Sequence, residues 1–375
     1  MISLFILGLL LLTVLWNAYY ASHWSKNLAV SLNFVQNYVY AGEQAQMTEQ
    51  IENRKKLMLP VLEVAFHIDK RLSFHDWENT SVSDFAYKRD IFALLGYQRV
   101  TRKLTLDCTK RGYYRIDQSY LTSFSILHKR RFSIEYPADA ELYVYAARTD
   151  VSDILIACER LMGNVQCAKR LYEDPFAFSS IREYTVTDPM KTINWKASAR
   201  TGELMVNTFE STLTERVMIY LDMEDGGILK YEYLIEESVS IASSLAQRLI
   251  ARGMEVGIYV NNTVIEPTGG KKQLNNIERA LAKCKSDDTA VSFSSILAVQ
   301  HDTQQPSARQ SSFHQSEDLV MIFISKNTDR SQAAIENFVG KNREAIWVVP
   351  FTKNDSCSVR TSDNICLIRR EVEIS

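Results

Sequence analysis

The strongest hydrophobic pattern lies at the N-terminus. The run ISLFILGLLLLTVLWNAYY, Ile2 to Tyr20, carries no charge. Coiled as a helix it would span about 28 Å, close to the hydrocarbon thickness of a bilayer. Trp16, Tyr19, Tyr20 and Trp24 gather at its end, where amphipathic rings favour the lipid interface. A cleaved signal peptide would show a basic flank before the run and small residues at the cleavage site. No Lys or Arg precedes the run, and Tyr19 fits such a site badly. Residues 1–24 therefore read as one uncleaved transmembrane anchor. Lys26 is the Lys or Arg beside it, which places the following residues on the cytoplasmic side. Leu57 to Phe66 is too short for a second span and contains Glu63.

After the anchor the period changes to two. Leu28, Val30, Leu32 and Phe34 alternate with smaller or polar residues, the pattern of a half-buried strand. Gly42 and the polar cluster Asn53–Lys56 read as turns, and Val100, Leu104, Leu106 and Cys108 continue the alternation. Lys110 to Gly112 reads as a hairpin turn before the strand SYLTSFSI. Residues 27–136 are expected to form a small antiparallel β domain, sandwich-like. After Pro137 the pattern shifts to helical spacing around Ile154, Cys158 and Leu161, and residues 137–213 read as a connecting segment.

From residue 214 to 375 strands and helices alternate. Val217–Leu221 is an unbroken apolar run, as in strands buried on both faces. An amphipathic helix follows, with Leu234, Ile241, Leu245 and Leu249 on one stripe and Gly253 as its stop. The strand EVGIYV, the helix KQLNNIERALAKC, the strand Asp318–Ile324, the helix RSQAAIENFVGKN and the strand Ala345–Pro350 complete the series, with a polar loop at HDTQQPSARQSSFHQSE. The alternation predicts a doubly wound α/β domain with a mostly parallel sheet. Ligands of such sheets sit at the C-terminal strand ends, where Asp222, Glu224 and Asp225 stand.

Composition narrows the chemistry. The 375 residues are 46% hydrophobic and 23% charged with a net charge of −2, which argues against bulk binding to nucleic acid. Only 13 residues are Gly, and none of the common phosphate-loop, zinc-protease or serine-hydrolase motifs occurs. Cys108, Cys158, Cys167, Cys284, Cys357 and Cys366 form no CxxC pair. A zinc site is not supported, and the cysteines read as free thiols in a reducing compartment. No cofactor is expected.

The segment IREYTVTDPMKTINWKASARTGELMVNTFE, Ile181 to Glu210, stands apart by its density of polar and charged residues. Asp188-Pro189 reads as a helix start, with Met190, Ile193 and Ala197 as a buried stripe and Gly202 as the stop. Local structure leaves Arg182, Glu183, Trp195, Lys196 and Arg200 unexplained. Either they form a solvated face around a packed Trp, or a charged network that locks the arm or docks a partner. Lys196 and Arg200 lie four apart on one helical face.

The string Arg182-Glu183-Tyr184, Asp188, Ile193, Trp195, Ala199-Arg200, Gly202, Leu204, Val206 and Phe209-Glu210 resembles the signature of the bacterial domain-of-unknown-function family 58 (DUF58). Thr187, Pro189, Lys191 and Asn194 depart from it. The resemblance implies a membrane anchor, a β domain and a C-terminal domain similar to von Willebrand factor type A. The metal site of that domain uses D-x-S-x-S. Here Asp222-Met223-Glu224-Asp225-Gly226 lacks both hydroxyls, so the resemblance implies no metal-dependent adhesion. It does imply a partnership with MoxR-type AAA+ ATPases. The expected function is a membrane-anchored interaction protein, not an enzyme, with its soluble domains in the cytoplasm. The alternatives are an outward-facing binding module of the same fold and a hydrolase using Asp222, Glu224 and Asp225.

Overall fold

The structure is a computed structural model. It describes residues 2–75, 80–82, 85–124, 130–169, 178–185, 188, 190–209, 215–224, 231–261, 263–285, 293, 297, 319–326, 329–340, 343–353 and 364–372. The polar loop at residues 301–317, Cys357 and the residues Thr187, Pro189, Glu210, Asp225 and Gly226 lie outside them. The chain divides into two compact units, Met1–Arg148 with Glu278–Cys284, and Thr149–Ile277 with Lys285–Ser375.

The first unit begins with helix α1 (Ile2–His23), apolar and exposed along most of its length. Strands β1 (Leu28–Phe34), β2 (Tyr38–Tyr40), β3 (Gln44–Asn53), β4 (Leu59–Asp69), β5 (Leu72–Phe74), β6 (Thr80–Val82), β7 (Phe85–Leu94), β8 (Arg99–Cys108), β9 (Gly112–Phe124) and β10 (Arg131–Tyr145) follow. They form a four-stranded sheet, β1-β3-β8-β5, and a six-stranded one, β2-β10-β9-β4-β7-β6. Burial alternates along β3, which is what a strand with one face on a core requires. Leu32, Met47, Leu104 and Leu106 of the first sheet share one buried cluster with Phe66, Ile68, Ile116 and Leu142 of the second. The unit is thus a sandwich.

Three expectations change here. The six-stranded sheet is mixed, because β2 runs parallel to β10. Lys110–Gly112 does not turn a hairpin: β8 pairs with β3 and β5, while β9 pairs with β4 and β10. The turn carries the chain from one sheet to the other, a topology that alternation alone cannot distinguish from a hairpin. Pro137 lies inside β10. The register shifts between Pro137 and Ala140, so the missing N–H falls at an irregularity that tolerates it.

The second unit holds α2 (Ser152–Lys169), the antiparallel pair β11 (Phe178–Glu183) and β12 (Met205–Phe209), and the short helix α3 (Trp195–Thr201) between them. The chain continues with β13 (Arg216–Leu221), α4 (Glu232–Ala251), β14 (Glu255–Val260), β15 (Thr263–Thr268), α5 (Lys271–Lys283, whose residues from Glu278 on are counted with the first unit), β16 (Leu319–Ile324), α6 (Asp329–Val339), β17 (Ala345–Phe351) and β18 (Ile365–Glu371). The sheet order is β15-β14-β13-β16-β17-β18, parallel except for β15. From β13 the sheet grows outward in both directions. The central strands bury five consecutive residues each, which explains their unbroken apolar runs. Gly253, at φ +89°, ends α4 in the left-handed region as its position in the sequence predicts.

Candidate functional site

Two places in the second unit carry the residues singled out from the sequence. The first is the excursion between β11 and β12. Arg182 lies opposite Val206 and Glu183 opposite Met205. Ile193 bridges back to Val206, and these two side chains are buried. They are the apolar centre of a small element.

Polar residues set the rest of its shape. The Asp188 carboxylate accepts two hydrogen bonds from the Arg182 guanidinium, at 2.7 and 2.6 Å. It also accepts the Thr185 backbone N–H at 2.9 Å and the Thr185 hydroxyl at 2.8 Å. Arg182 first, then Thr185, holds this carboxyl well below the usual carboxylate range. Asp188 therefore closes a loop and does not cap a helix. The helix begins seven residues later, at Trp195, after a 3-10 turn at Met190–Thr192. Asn194 is the cap: its Oδ1 accepts the Ala197 N–H at 3.0 Å and its Nδ2 donates to Asn207 Oδ1 at 2.7 Å. An Asn cap satisfies the helix's free N–H groups as an Asp would. Gly202, at φ +80°, closes the other end with its N–H on the Ser198 carbonyl, as expected. Of the expected buried stripe, Ile193 is buried, Ala197 is half-buried and Met190 is 72% exposed.

Several signature residues have no such local task. Trp195 is 67% exposed. Lys196 and Arg200 are exposed and make no ion pair among the described residues. Glu183 is exposed as well, while Tyr184 is half-buried and donates its N–H to the Leu204 carbonyl at 2.9 Å. The packed Trp of the blander reading is absent from this structure.

The second place is the C-terminal end of β13, where the strand order reverses. In open parallel sheets ligands favour this point. Asp222 is buried there. Its N–H donates to the Ile324 carbonyl at 2.9 Å, and its Oδ1 accepts the Glu224 N–H at 2.9 Å. Burial pushes its carboxyl up to about 7 and the Glu224 charge adds to this; the Glu224 N–H, Lys326 and the Ser331 hydroxyl oppose it. Glu224 Oε2 accepts the Phe293 N–H at 3.2 Å. Ser325, at the end of β16, is fully buried and accepts the Trp347 indole N–H at 2.9 Å. Sequence reasoning missed Ser325, Lys326 and Ser331. Ser325 and Lys326 carry a positional signal, directly after the apolar run that ends at Ile324, whereas Ser331, in α6, carries none.

Among the described residues no group of three His, Cys, Asp or Glu is arranged to hold a metal ion. Asp222 and Glu224 each commit one carboxylate oxygen to a backbone N–H. Melting of the second unit should therefore be the same in millimolar Mg²⁺ and in EDTA. A saturable Mg²⁺-dependent rise that Asp222→Ala abolishes would show a working cation site.

Fold and site together define a β-rich protein with one N-terminal apolar helix and mixed sheets. Residues 180–334 match the family described as Protein of unknown function DUF58. This supports the DUF58 resemblance over the stretch that includes the hairpin element and the β13 end. No curated protein matches the chain. Solved structures with which it aligns include a CARDB domain from Pyrococcus furiosus, 13% identical over 30% of this chain and 90% of that one, at a TM-score of 0.20. A non-cellulosomal cohesin from Archaeoglobus fulgidus is 11% identical over 31% of this chain and 91% of that one, at a TM-score of 0.22. Neither likeness is close enough to carry an argument.

Proposed function

We propose that the protein is a membrane-anchored interaction protein, without enzymatic activity of its own, whose docking surface is the exposed face of the β11-α3-β12 element. The observation that carries this reading is Trp195, 67% exposed on a helix whose shape is set by other residues. Beside it Lys196 and Arg200 place like charges four apart, which weakens an isolated helix by about 0.2–0.5 kcal/mol. Trp and Arg are the residues most enriched where binding energy concentrates. The partner is a MoxR-type AAA+ ATPase, on the DUF58 resemblance. The strand order of the second unit, with its antiparallel edge strand β15, supports a von Willebrand factor type A-like domain.

The anchor is α1, which presents Leu4, Leu7, Leu11 and Leu15 outward and has the length and hydropathy of a span. Its end supports an uncleaved helix. Tyr20 and Trp24 are buried in the sandwich core, and the Tyr20 hydroxyl lies 2.7 Å from Ser123 Oγ. Cleavage just after residue 20 would remove Tyr20 from that core. Both soluble units then lie on the cytoplasmic side.

The test is capture of the purified ATPase on membranes bearing the full chain. Trp195→Ala and Lys196→Ala should each weaken capture by about tenfold or more, with melting unchanged because the exposed positions carry little stability. Loss of binding only in proportion to loss of stability would assign these residues to the fold instead.

A further inference from the structure

One end of the sandwich brings three separate segments together. The chain leaves α1 and enters β1 at Leu28, which pairs with Asn53 at the end of β3. The loop 54–58 starts there, and the Arg54 N–H donates to the Asn27 carbonyl at 2.9 Å. That loop leads to Leu59, which pairs with Leu94 at the end of β7. The loop 95–98 then returns to Arg99, opposite Glu52. The two loops are tied: the Tyr97 N–H donates to the Lys55 carbonyl at 3.1 Å, and Asn53 Nδ2 donates to the Leu57 and Leu95 carbonyls, both at 2.9 Å. At Gly96 a Cβ would stand 2.7 Å from the Lys56 carbonyl oxygen. The loop tips therefore form one built surface beside the exit of the apolar helix.

The residues on these tips suit a lipid surface and not water. Met58, Leu95 and Tyr97 are 55%, 64% and 69% exposed. Tyr97 sits at φ +58°, a conformation unfavourable for an aromatic residue, and yet its ring is held outward. Around them stand Lys26, Arg54, Lys55, Lys56 and Arg99, with Glu52 the one carboxylate of these segments. Glu52 is engaged by Arg54 at 2.7 Å and Arg99 at 3.0 Å. Lys26 and Lys56 are exposed and unpaired among the described residues. The Lys55 ammonium is shielded from solvent without a hydrogen-bond partner, and burial pulls it down to about 8. Its flexible stem lets the charge swing out to an anion.

We propose that this end of the sandwich is a bilayer-contact surface, with Met58, Leu95 and Tyr97 in the lipid interface and Lys26, Lys55 and Lys56 on anionic headgroups. The proposal rests on the reading of α1 as a membrane-spanning helix. Aromatic rings with one polar end favour the interface, and juxtamembrane basic residues are drawn to anionic lipid. With Tyr20 and Trp24 fixed in its core, the first unit then lies against the membrane and does not swing on a tether.

The experiment uses the full chain in lipid nanodiscs, with Tyr97→p-benzoyl-phenylalanine as a photo-crosslinker. Lys70→p-benzoyl-phenylalanine, on the exposed turn after β4 at the opposite end, is the control. Alkaline carbonate extraction of the native membranes is run first. Release of the chain by carbonate would remove the spanning reading and the proposal with it. With the chain retained, position 97 should form a phospholipid adduct in discs containing phosphatidylglycerol, and position 70 should not. Lys55→Gln with Lys56→Gln should lower the adduct yield about tenfold. An adduct with protein only, no adduct at position 97, equal yields at positions 97 and 70, or a yield unchanged by the lysine substitutions would overturn the proposal while leaving the anchor intact.

Discussion

Asp90→Ala is expected to destabilise the first unit by about 3–5 kcal/mol, the range found when one partner of a buried ion pair is removed. For a unit of this size that is a fall in Tm of roughly 10 °C. Asp90 is fully buried on β7. Its Oδ1 lies 2.8 Å from Arg102 Nη1 and 4.0 Å from Lys88 Nζ. Lys88 is itself buried, its ammonium 5.4 Å from the centre of the Phe74 ring. Without Asp90 that ammonium and the Arg102 guanidinium lose the buried carboxylate they share. Paired charges inside a protein add little net stability, since desolvation offsets their attraction; an orphaned one is costly. The comparison that isolates the cause is Asp90→Ala combined with Lys88→Met. Removing both charges should recover most of the loss. A single variant within about 1 kcal/mol of the parent, or a double variant no better than the single, would show that the cluster does not hold the sandwich.

Those charges were not legible in the sequence, and the reason is physical. Lys88, Arg89 and Asp90 are three successive charged residues, so polarity does not separate the inward pair from the outward Arg89. Alternation tells which residues share a face but not which face is inside. The same ambiguity produced the supposed hairpin at Lys110–Gly112. Where both faces are buried the pattern was unambiguous: Val217–Leu221 and Ala345–Pro350 are strands within a residue of their apolar runs. The edges of that sheet were missed. In β15 only one of six residues is buried, and β18 ends on Arg369-Arg370-Glu371. An edge strand has one pairing partner and a wet side, so it lacks the apolar run that marks its neighbours.

The signature element was half legible. Gly202 announced its left-handed stop. Asp188 misled because an Asp before a Pro has the form of a helix cap, whereas here Arg182 and Thr185 capture its carboxylate. Which of two polar partners wins is a tertiary fact. In the sequence Asn53–Lys56 reads as an ordinary turn and Lys26 as an orientation signal beside the anchor. Only the pairing of Leu28 with Asn53 and of Leu59 with Leu94 places them on one surface.

Each unit buries one carboxyl that holds its proton unusually well, and both should therefore lose stability as pH rises. Glu49, buried on β3, is pushed up to about 8 by burial and then by the Asp90 charge, against the opposing pull of Arg102 and Lys88. Asp222 is raised to about 7, again by burial first. Below the unfolded values, 4.5 for Glu and 3.8 for Asp, folded and unfolded chains both carry the proton and the stability is at its full value. Between the unfolded and folded values the unfolded chain releases the proton while the folded one keeps it, so folding grows less favourable. The loss is complete above about 8 in the first unit and about 7 in the second. Each shift amounts to roughly 3–5 kcal/mol across its window. Glu49→Gln and Asp222→Asn retain the shape of the protonated groups and have no proton to release. Hydrogen exchange reports opening free energies unit by unit, once corrected for the intrinsic pH dependence of exchange. Glu49→Gln should flatten the decline in β3 and β4 and leave β13 and β16 unchanged, and Asp222→Asn should do the reverse. A parent protein whose two units grow more stable from about pH 5 to about pH 8, or variants that shift both units together, would show that these carboxyls are not the groups that titrate.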